Sequence, residues 1–110
     1  MKKFLVLYRS TTSPMDQMAS TTPEQRTASM DEWTVWGTSL GASLVEWGSP
    51  LGASAVLRGS EGPGFVGGYS IVQAESLDAA KGLFDTHPHP HLSLSGASIE
   101  LLEMLPMPGA

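Results

Sequence analysis

The sequence predicts an α+β fold, in which four strands form an antiparallel sheet and two helices cover one face of that sheet. Two observations support this prediction. Extended and helical segments alternate along the chain, and apolar residues recur within each segment at the matching period. With 110 residues and 41% hydrophobic content, the chain has the size and composition of one globular domain, residues 1–110.

The first predicted strand, residues 3–9, is apolar on both of its faces. Among its large apolar side chains, Phe4, Val6 and Tyr8 occupy even-numbered positions and share one face. Leu5 and Leu7 occupy odd-numbered positions and share the other. A strand with one face in water alternates apolar and polar residues, so this strand is expected to be buried on both sides. The apolar run before Arg9 is too short for a signal peptide or a membrane span.

The first helix is predicted to begin at Thr22-Pro23-Glu24-Gln25, where Thr22 caps the helix and Gln25 completes a capping box. Apolar residues then recur at helical spacing, which predicts a buried stripe. That stripe contains Met30, Trp33, Gly37, Leu40 and Leu44, with Trp36 beside it. The helix is expected to end near Gly41. Residues 10–22 before it form a long connection, typical of a lid or a surface loop.

The middle of the chain is predicted to contain a short extended piece at residues 44–48 and a second strand at residues 54–58. Five glycines and one proline in residues 59–68 indicate a flexible connection. A strand over residues 68–74 follows.

The last third begins with a short helix capped by Ser76, whose buried face is Ala80, Leu83 and Phe84. A final strand is predicted over residues 99–105. The order strand, helix, strand, strand, helix, strand is that of the ferredoxin-like arrangement.

Both helices cover the same face of such a sheet, and the other face is still apolar. Besides Leu5 and Leu7, the last strand carries Leu102 and Met104 on one side and Ile99, Leu101 and Leu105 on the other. Exposing one large apolar side chain costs about 1.5–3 kcal/mol. We therefore expect a homodimer, in which a second copy packs sheet to sheet through a twofold axis.

Composition and charge exclude several classes of function. The net charge is -5 and the six basic residues are scattered, which argues against binding to nucleic acid. The chain has no cysteine, so disulfides, thiolate metal sites and cysteine nucleophiles are excluded. We expect a cytoplasmic protein that does not bind membranes and uses no cofactor.

All three histidines lie in the segment Asp85-Thr86-His87-Pro88-His89-Pro90-His91. Histidine changes charge near neutral pH, so His87 and His89 are candidate catalytic residues, with Asp85 able to orient an imidazole. Asp31 on the first helix is a further candidate. Two other interpretations stay open: a metal held by the His-Pro-His spacing, and a loop that only ends the second helix. We expect no resident metal.

The candidate ligand-binding residues are Trp33, Trp36, Tyr8 and Arg9. The two tryptophans are suited to an aromatic wall of a small-molecule pocket, and their helical spacing equally suits core packing. Arg9 is able to pair with an acidic ligand.

Six segments follow one another in a particular order and spacing. They are residues 3–9, Thr22-Pro23-Glu24-Gln25, Gly48-Ser49-Pro50-Leu51-Gly52, residues 68–80, His87-Pro88-His89 and Ile99-Glu100-Leu101-Leu102-Glu103. Together they resemble the YCII-related family over nearly the whole chain. The resemblance implies a dimeric α/β barrel, in which the sheets of two ferredoxin-like subunits face each other. Small monooxygenases, muconolactone isomerase and chlorite dismutase share that fold, which alone does not transfer their reactions.

The namesake branch of that family is suspected of chemistry through a His–Asp pair. Its histidine position falls near Asp31 here, and Asp85 or His87 stands where that branch has its aspartate. A sister branch carries Asp-Gly-Pro-Phe, where this chain has Glu61-Gly62-Pro63-Gly64-Phe65.

The expected function is that of a homodimer that binds a small organic molecule. If it is an enzyme, we expect proton transfer or isomerisation, with a histidine as base oriented by Asp85 or Asp31. The alternative is a non-catalytic accessory domain that recruits another protein through its dimer surface and residues 10–22.

Overall fold

Four strands and two helices make up the part of the chain that a computed structural model describes, residues 1–13, 16, 19, 21–85 and 97–108. The elements are β1 (Lys2–Ser10), α1 (Pro23–Leu40), β2 (Leu44–Pro50), β3 (Phe65–Ala74), α2 (Leu77–Gly82) and β4 (Ser98–Glu103). One 3-10 turn, Gly41–Ser43, joins α1 to β2. The predicted α+β class is confirmed.

The strands form one antiparallel sheet in the order β2-β3-β1-β4. Strand β1 lies inside the sheet, where Phe4 is opposite Val72 of β3 and Glu103 of β4. This order and the two helices agree with the ferredoxin-like arrangement.

The core lies between the helices and one face of the sheet. Phe4, Val6 and Val72 are completely buried there, and Ala80 of α2 packs against them. Trp33 and Leu40 of α1 contact the same cluster. Because the buried residues of β1 share one parity, both helices cover the same face, as expected.

Helix α1 begins where the sequence predicts it. The Thr22 hydroxyl accepts a hydrogen bond from the Gln25 amide at 3.1 Å, and the Gln25 side chain accepts one from the Thr22 amide at 2.8 Å. This capping box satisfies two amides that the first helical turn leaves without partners. Ser76 caps α2 similarly, accepting from the Ala79 amide at 3.1 Å.

Three details of the sequence prediction are wrong. Residues 54–58 are not a strand, because β2 is the segment Leu44–Pro50, which already fills the edge beside β3. The extended piece predicted at residues 44–48 continues through Ser49 and Pro50 as β2, since Gly48 with φ +77° lets the strand bulge and continue. Met30 does not belong to the buried stripe of α1, being 62% exposed, whereas Trp36 is buried.

At Gly37, helix α1 packs directly against the side chain of Trp47 in strand β2. A Cβ atom at Gly37 would overlap the six-membered ring of Trp47. The bare backbone of Gly37 therefore provides the space in which the Trp47 indole packs beneath α1.

We predict that Gly37→Ala lowers the free energy of unfolding by about 1 kcal/mol. Overpacking against Trp47 costs about 1–3 kcal/mol, and replacing a helical glycine recovers up to about 1 kcal/mol. Urea denaturation at one fixed protein concentration measures the change. Gly82→Ala is the control, because no atom lies within 4 Å of a Cβ there. Equal stability of the two variants would contradict the prediction.

Candidate functional site

Four aromatic side chains form a continuous cluster between the sheet and the helices. Tyr8 meets Trp33 edge-on with ring centroids 4.6 Å apart, and Trp33 lies 6.3 Å from Trp36. Phe84, just after α2, packs on Trp36 at 5.2 Å. We call Tyr8, Trp33, Trp36 and Phe84 the aromatic cluster. It brings together three of the four residues that the sequence suggested for ligand binding.

Within this cluster Trp36 is buried, and Trp33 is only partly buried. The fully packed side chains of Tyr8 and Trp36 serve the core. Trp33 and Phe84 are both partly buried, so these two members of the cluster keep some surface that a ligand can reach.

A hydrogen bond fixes the end of α2 against α1. The indole Nε1 of Trp36 donates to the carbonyl oxygen of Leu83 at 2.8 Å. Asp85 follows two residues later and is exposed. The histidine segment therefore starts beside the junction of the two helices, although His87, His89 and His91 themselves lie outside the described residues.

The Tyr8 hydroxyl is part of a buried chain of hydrogen bonds. It donates to Ser70 Oγ at 3.0 Å, and Ser70 Oγ donates to the carbonyl oxygen of Trp47 at 2.9 Å. Burial raises the pKa of Tyr8 to about 12, and the hydrogen bond with Ser70 opposes this shift. At neutral pH the phenol is therefore protonated and joins β1 to β3 and β2.

Arg9 lies on the other face of the sheet from the aromatic cluster. It has the parity of Leu5 and Leu7, and its Nε donates to Glu100 Oε1 at 3.0 Å. The structure therefore does not bring Arg9 together with Tyr8, Trp33 and Trp36.

Asp31 lies on the outer part of α1. It lines an open groove of about 390 Å³ whose other lining residues are Pro23, Glu24, Thr27 and Ala28. Residues two positions apart on a helix point about 200° apart, so Asp31 and Trp33 face different directions. The Asp31 carboxylate and the Trp33 ring therefore lie on different sides of α1.

The face of the sheet opposite the helices, which we call the open face, carries an apolar row. Leu5 of β1 lies between Ile71 of β3 and Leu102 of β4 in the strand register. Leu7 is the next residue of β1 on this face. Leu5, Leu7 and Ile71 are partly buried, and Leu102 is 41% exposed.

Sequence reasoning did not single out Tyr69 and Glu46, which also lie on the open face. The Tyr69 hydroxyl donates to Glu46 Oε1 at 2.9 Å. This hydrogen bond, reinforced by the negative charge of Glu46, raises the pKa of Tyr69. The pair depends on the bulged register of β2 against β3, which leaves no pattern in the sequence.

No group of three or more histidine, aspartate or glutamate residues in the described ranges is placed to hold a metal ion. Within the same ranges, no helix combines the length and apolar character needed to cross a bilayer.

We predict that the unfolding free energy falls as the pH rises from about 10 to 12, by about 2–3 kcal/mol from Tyr8 alone. The folded state favours the neutral phenol, so this contribution is complete below the pKa of the unfolded chain, about 10. This contribution is lost as the pH approaches the pKa of Tyr8 in the folded state, about 12. Tyr8→Phe should remove this part of the pH dependence and cost about 1 kcal/mol at pH 7.

Denaturant titrations at several pH values test this prediction. Tyr69→Phe is the comparison variant, since it removes the phenol that pairs with Glu46 and leaves Tyr8 in place. The account of Tyr8 fails if Tyr8→Phe and the parent chain lose equal stability between pH 10 and 12.

No protein-family model matches this sequence, and no curated protein is similar to it at a significant level. The resemblance to the YCII-related family therefore stays a prediction that rests on the quoted segments.

Proposed function

We propose that this protein is a homodimer of the YCII-related kind, whose subunits pack through their open faces and each bind one small organic molecule beside the α1–α2 junction. The observation that supports it is the apolar row of Leu5, Ile71 and Leu102. This row crosses three strands on a face that no helix of the described chain covers.

The apolar row favours a second sheet over solvent. Leu102 is 41% exposed and Met104, just beyond β4, is 46% exposed. Fully burying a side chain of this size stabilises by about 1.5–3 kcal/mol, so covering the exposed part of each adds a fraction of that value. A twofold axis doubles every such contribution, because both copies bury the same residues.

The ligand site is proposed at the α1–α2 junction, with Trp33 contributed by α1 and Asp85, the first residue of the histidine segment, contributed by the end of α2. The accessible part of the Trp33 ring offers an apolar surface, and Asp85 offers a carboxylate at the entrance to the segment. His87 or His89 would accept a proton from the bound molecule and return it to another atom, which is an isomerisation without cofactor. Asp85 would orient the imidazole.

A second candidate is the non-catalytic accessory domain, and one observation favours it. Residues 51–64 between β2 and β3 are exposed throughout, and Leu57 within them is 94% exposed. An exposed segment with apolar side chains is typical of protein interaction sites. If the protein is an accessory domain of this kind, no small molecule binds beside Trp33.

We predict that Leu5→Asp weakens dimerisation by about 100-fold or more. Each dimer would place two carboxylates in the apolar row, and losing about 1.5–3 kcal/mol per copy corresponds to that factor. Sedimentation equilibrium over a range of concentrations measures the dissociation constant. Leu57→Asp is the control, because Leu57 is 94% exposed and belongs to none of the four strands. A parent chain that is monomeric, or a Leu5→Asp variant that dimerises equally well, contradicts the proposal.

We predict that protein purified from cells without an affinity tag carries one organic molecule per subunit, visible by native mass spectrometry. The double variant His87→Ala/His89→Ala should lose it, and Asp85→Asn should hold it more weakly. Asp78→Asn serves as control. Asp78 is an exposed carboxylate on α2, and its Oδ1 lies 3.2 Å from Lys81 Nζ. Empty parent protein favours the accessory domain, and retention by the histidine variant excludes the proposed base.

A further inference from the structure

Residues 51–64, which join β2 to β3, are exposed along their whole length. The Leu51 amide donates to the Gly67 carbonyl oxygen at 3.0 Å, which ties the base of this segment to β3. Further along, a Cβ atom at Gly59 would meet no described atom within 4 Å, its chain neighbours apart. Leu57 is 94% exposed. Connections of about this length without helix or strand are uncommon in compact domains, and many are lids or binding loops.

A second set of exposed apolar side chains lies on the flank of the domain where α1 borders β2. They are Met30, which is 62% exposed, Trp47, which is 49% exposed, and Leu51, which is 37% exposed. We call these three residues the flank strip. The Trp47 indole packs against Gly37, so this side of α1 faces β2. Met30 precedes Gly37 by two helical turns and points within about 20° of the same direction.

Met30 and Leu51 lie at about the same height on this flank. Only the three-residue 3-10 turn Gly41–Ser43 separates α1 from β2, so β2 runs back along the helix. Met30 lies about 10 Å from Gly37 along the axis of α1. The chain from Trp47 to Leu51 covers roughly 13 Å in the same direction. The exposed segment therefore leaves the sheet beside Met30.

Leu57 is able to reach Met30 without any change in the strands. Six residues separate Leu57 from Leu51, and an extended chain of that length spans roughly 20 Å. Gly52 precedes the stretch that contains Leu57, and Gly59 follows it with φ +82°. Glycine changes its backbone angles at low steric cost, so these two residues are suited to serve as hinges.

Closing the segment would remove apolar surface from water on both sides of the contact. Leu57 and Met30 are mostly exposed in the open position, and their burial would oppose the conformational freedom that the segment loses on ordering. Because these two contributions have opposite signs, the contacts of a bound molecule can select one position. Trp33 follows Met30 by about one helical turn, so the two side chains are neighbours on the surface of α1. A molecule on the accessible part of Trp33 would therefore lie next to the closed segment.

We propose that residues 51–64 are a lid that closes over the flank strip, with Leu57 packed against Met30 and Trp47. The structure holds the open position, in which all three side chains keep exposed surface. In the closed position the lid borders Trp33 and limits the access of water to that side of the ligand site, as lids do in many enzymes. This role of the lid rests on the proposed function, whereas the closure itself does not.

Disulfide trapping tests the closure, because the chain has no cysteine of its own. The variant is Met30→Cys/Leu57→Cys, oxidised with copper phenanthroline in dilute solution. Both side chains are exposed in the open position, so neither substitution removes a core contact. A disulfide needs Cβ atoms about 3.5–4.5 Å apart, so an intramolecular bridge reports the closed position. Loss of both free thiols at unchanged chain number, seen by mass spectrometry and non-reducing electrophoresis, is the expected result.

Two control variants separate a defined closed position from random motion of the segment. Val35→Cys/Leu57→Cys places its first thiol on an exposed part of α1 that points about 140° away from Met30. Met30→Cys/Glu61→Cys keeps the position on α1 and moves the second thiol along the segment. The test variant is expected to bridge at least about tenfold faster than either control, since only its thiols meet in the closed position. Equal rates, or no bridge in the test variant, overturn the lid.

Retention of the molecule that co-purifies from cells tests the role of the lid. Protein purified without an affinity tag is oxidised and dialysed, and native mass spectrometry then measures the molecule still bound. The bridged Met30→Cys/Leu57→Cys protein should retain it at least about tenfold longer than the reduced protein, because the closed lid slows its release. Equal retention overturns the lid as a cover of the site. An empty parent protein counts against the proposed function instead, and the rate of bridging then decides the closure.

Discussion

Strand β1 has apolar side chains on both faces, and the organisation of the molecule follows from where each face is buried. Phe4 and Val6 pack beneath the helices with no exposed surface. Leu5 and Leu7 point to the open face, where they are partly buried and lie opposite Ile71 and Tyr69 of β3. Because side chains alternate between the two faces of a strand, a shift of the register by one residue would exchange the two sets. Within its described residues the chain thus completes one core and leaves the second apolar surface without a covering helix.

The aromatic cluster couples the completed core to the proposed site. Tyr8 belongs to β1, Trp33 and Trp36 belong to α1, and Phe84 follows α2. The sheet and both helices therefore meet at this one set of rings. The bond from Trp36 to the Leu83 carbonyl places Asp85 beside α1. A site at this junction would rest on rigid elements, which is the support that positioned catalytic groups need.

The starts of the helices could be predicted from residues that are close in sequence. The edge strand could not, because it depends on pairing between distant segments. The capping box at Thr22 and the cap at Ser76 involve residues that are neighbours in sequence. Residue types are therefore enough to locate them. The edge strand β2 depends on its register against β3 and on the bulge at Gly48, which no local pattern encodes. Helical spacing placed Trp33 and Trp36 near each other on α1, whereas the contact of Tyr8 with Trp33 and the opposite direction of Arg9 follow from how β1 packs in the sheet.

The central claim is that a second copy covers the open face, and solvent accessibility of the apolar row tests it most directly. Paramagnetic relaxation by a soluble probe can be measured on the methyl groups of Leu5, Leu7 and Ile71 as the protein is diluted. Strong protection at high concentration that disappears on dilution is the result predicted here, with Val6 protected throughout. Methyl groups of the row that relax rapidly at every concentration would contradict the account.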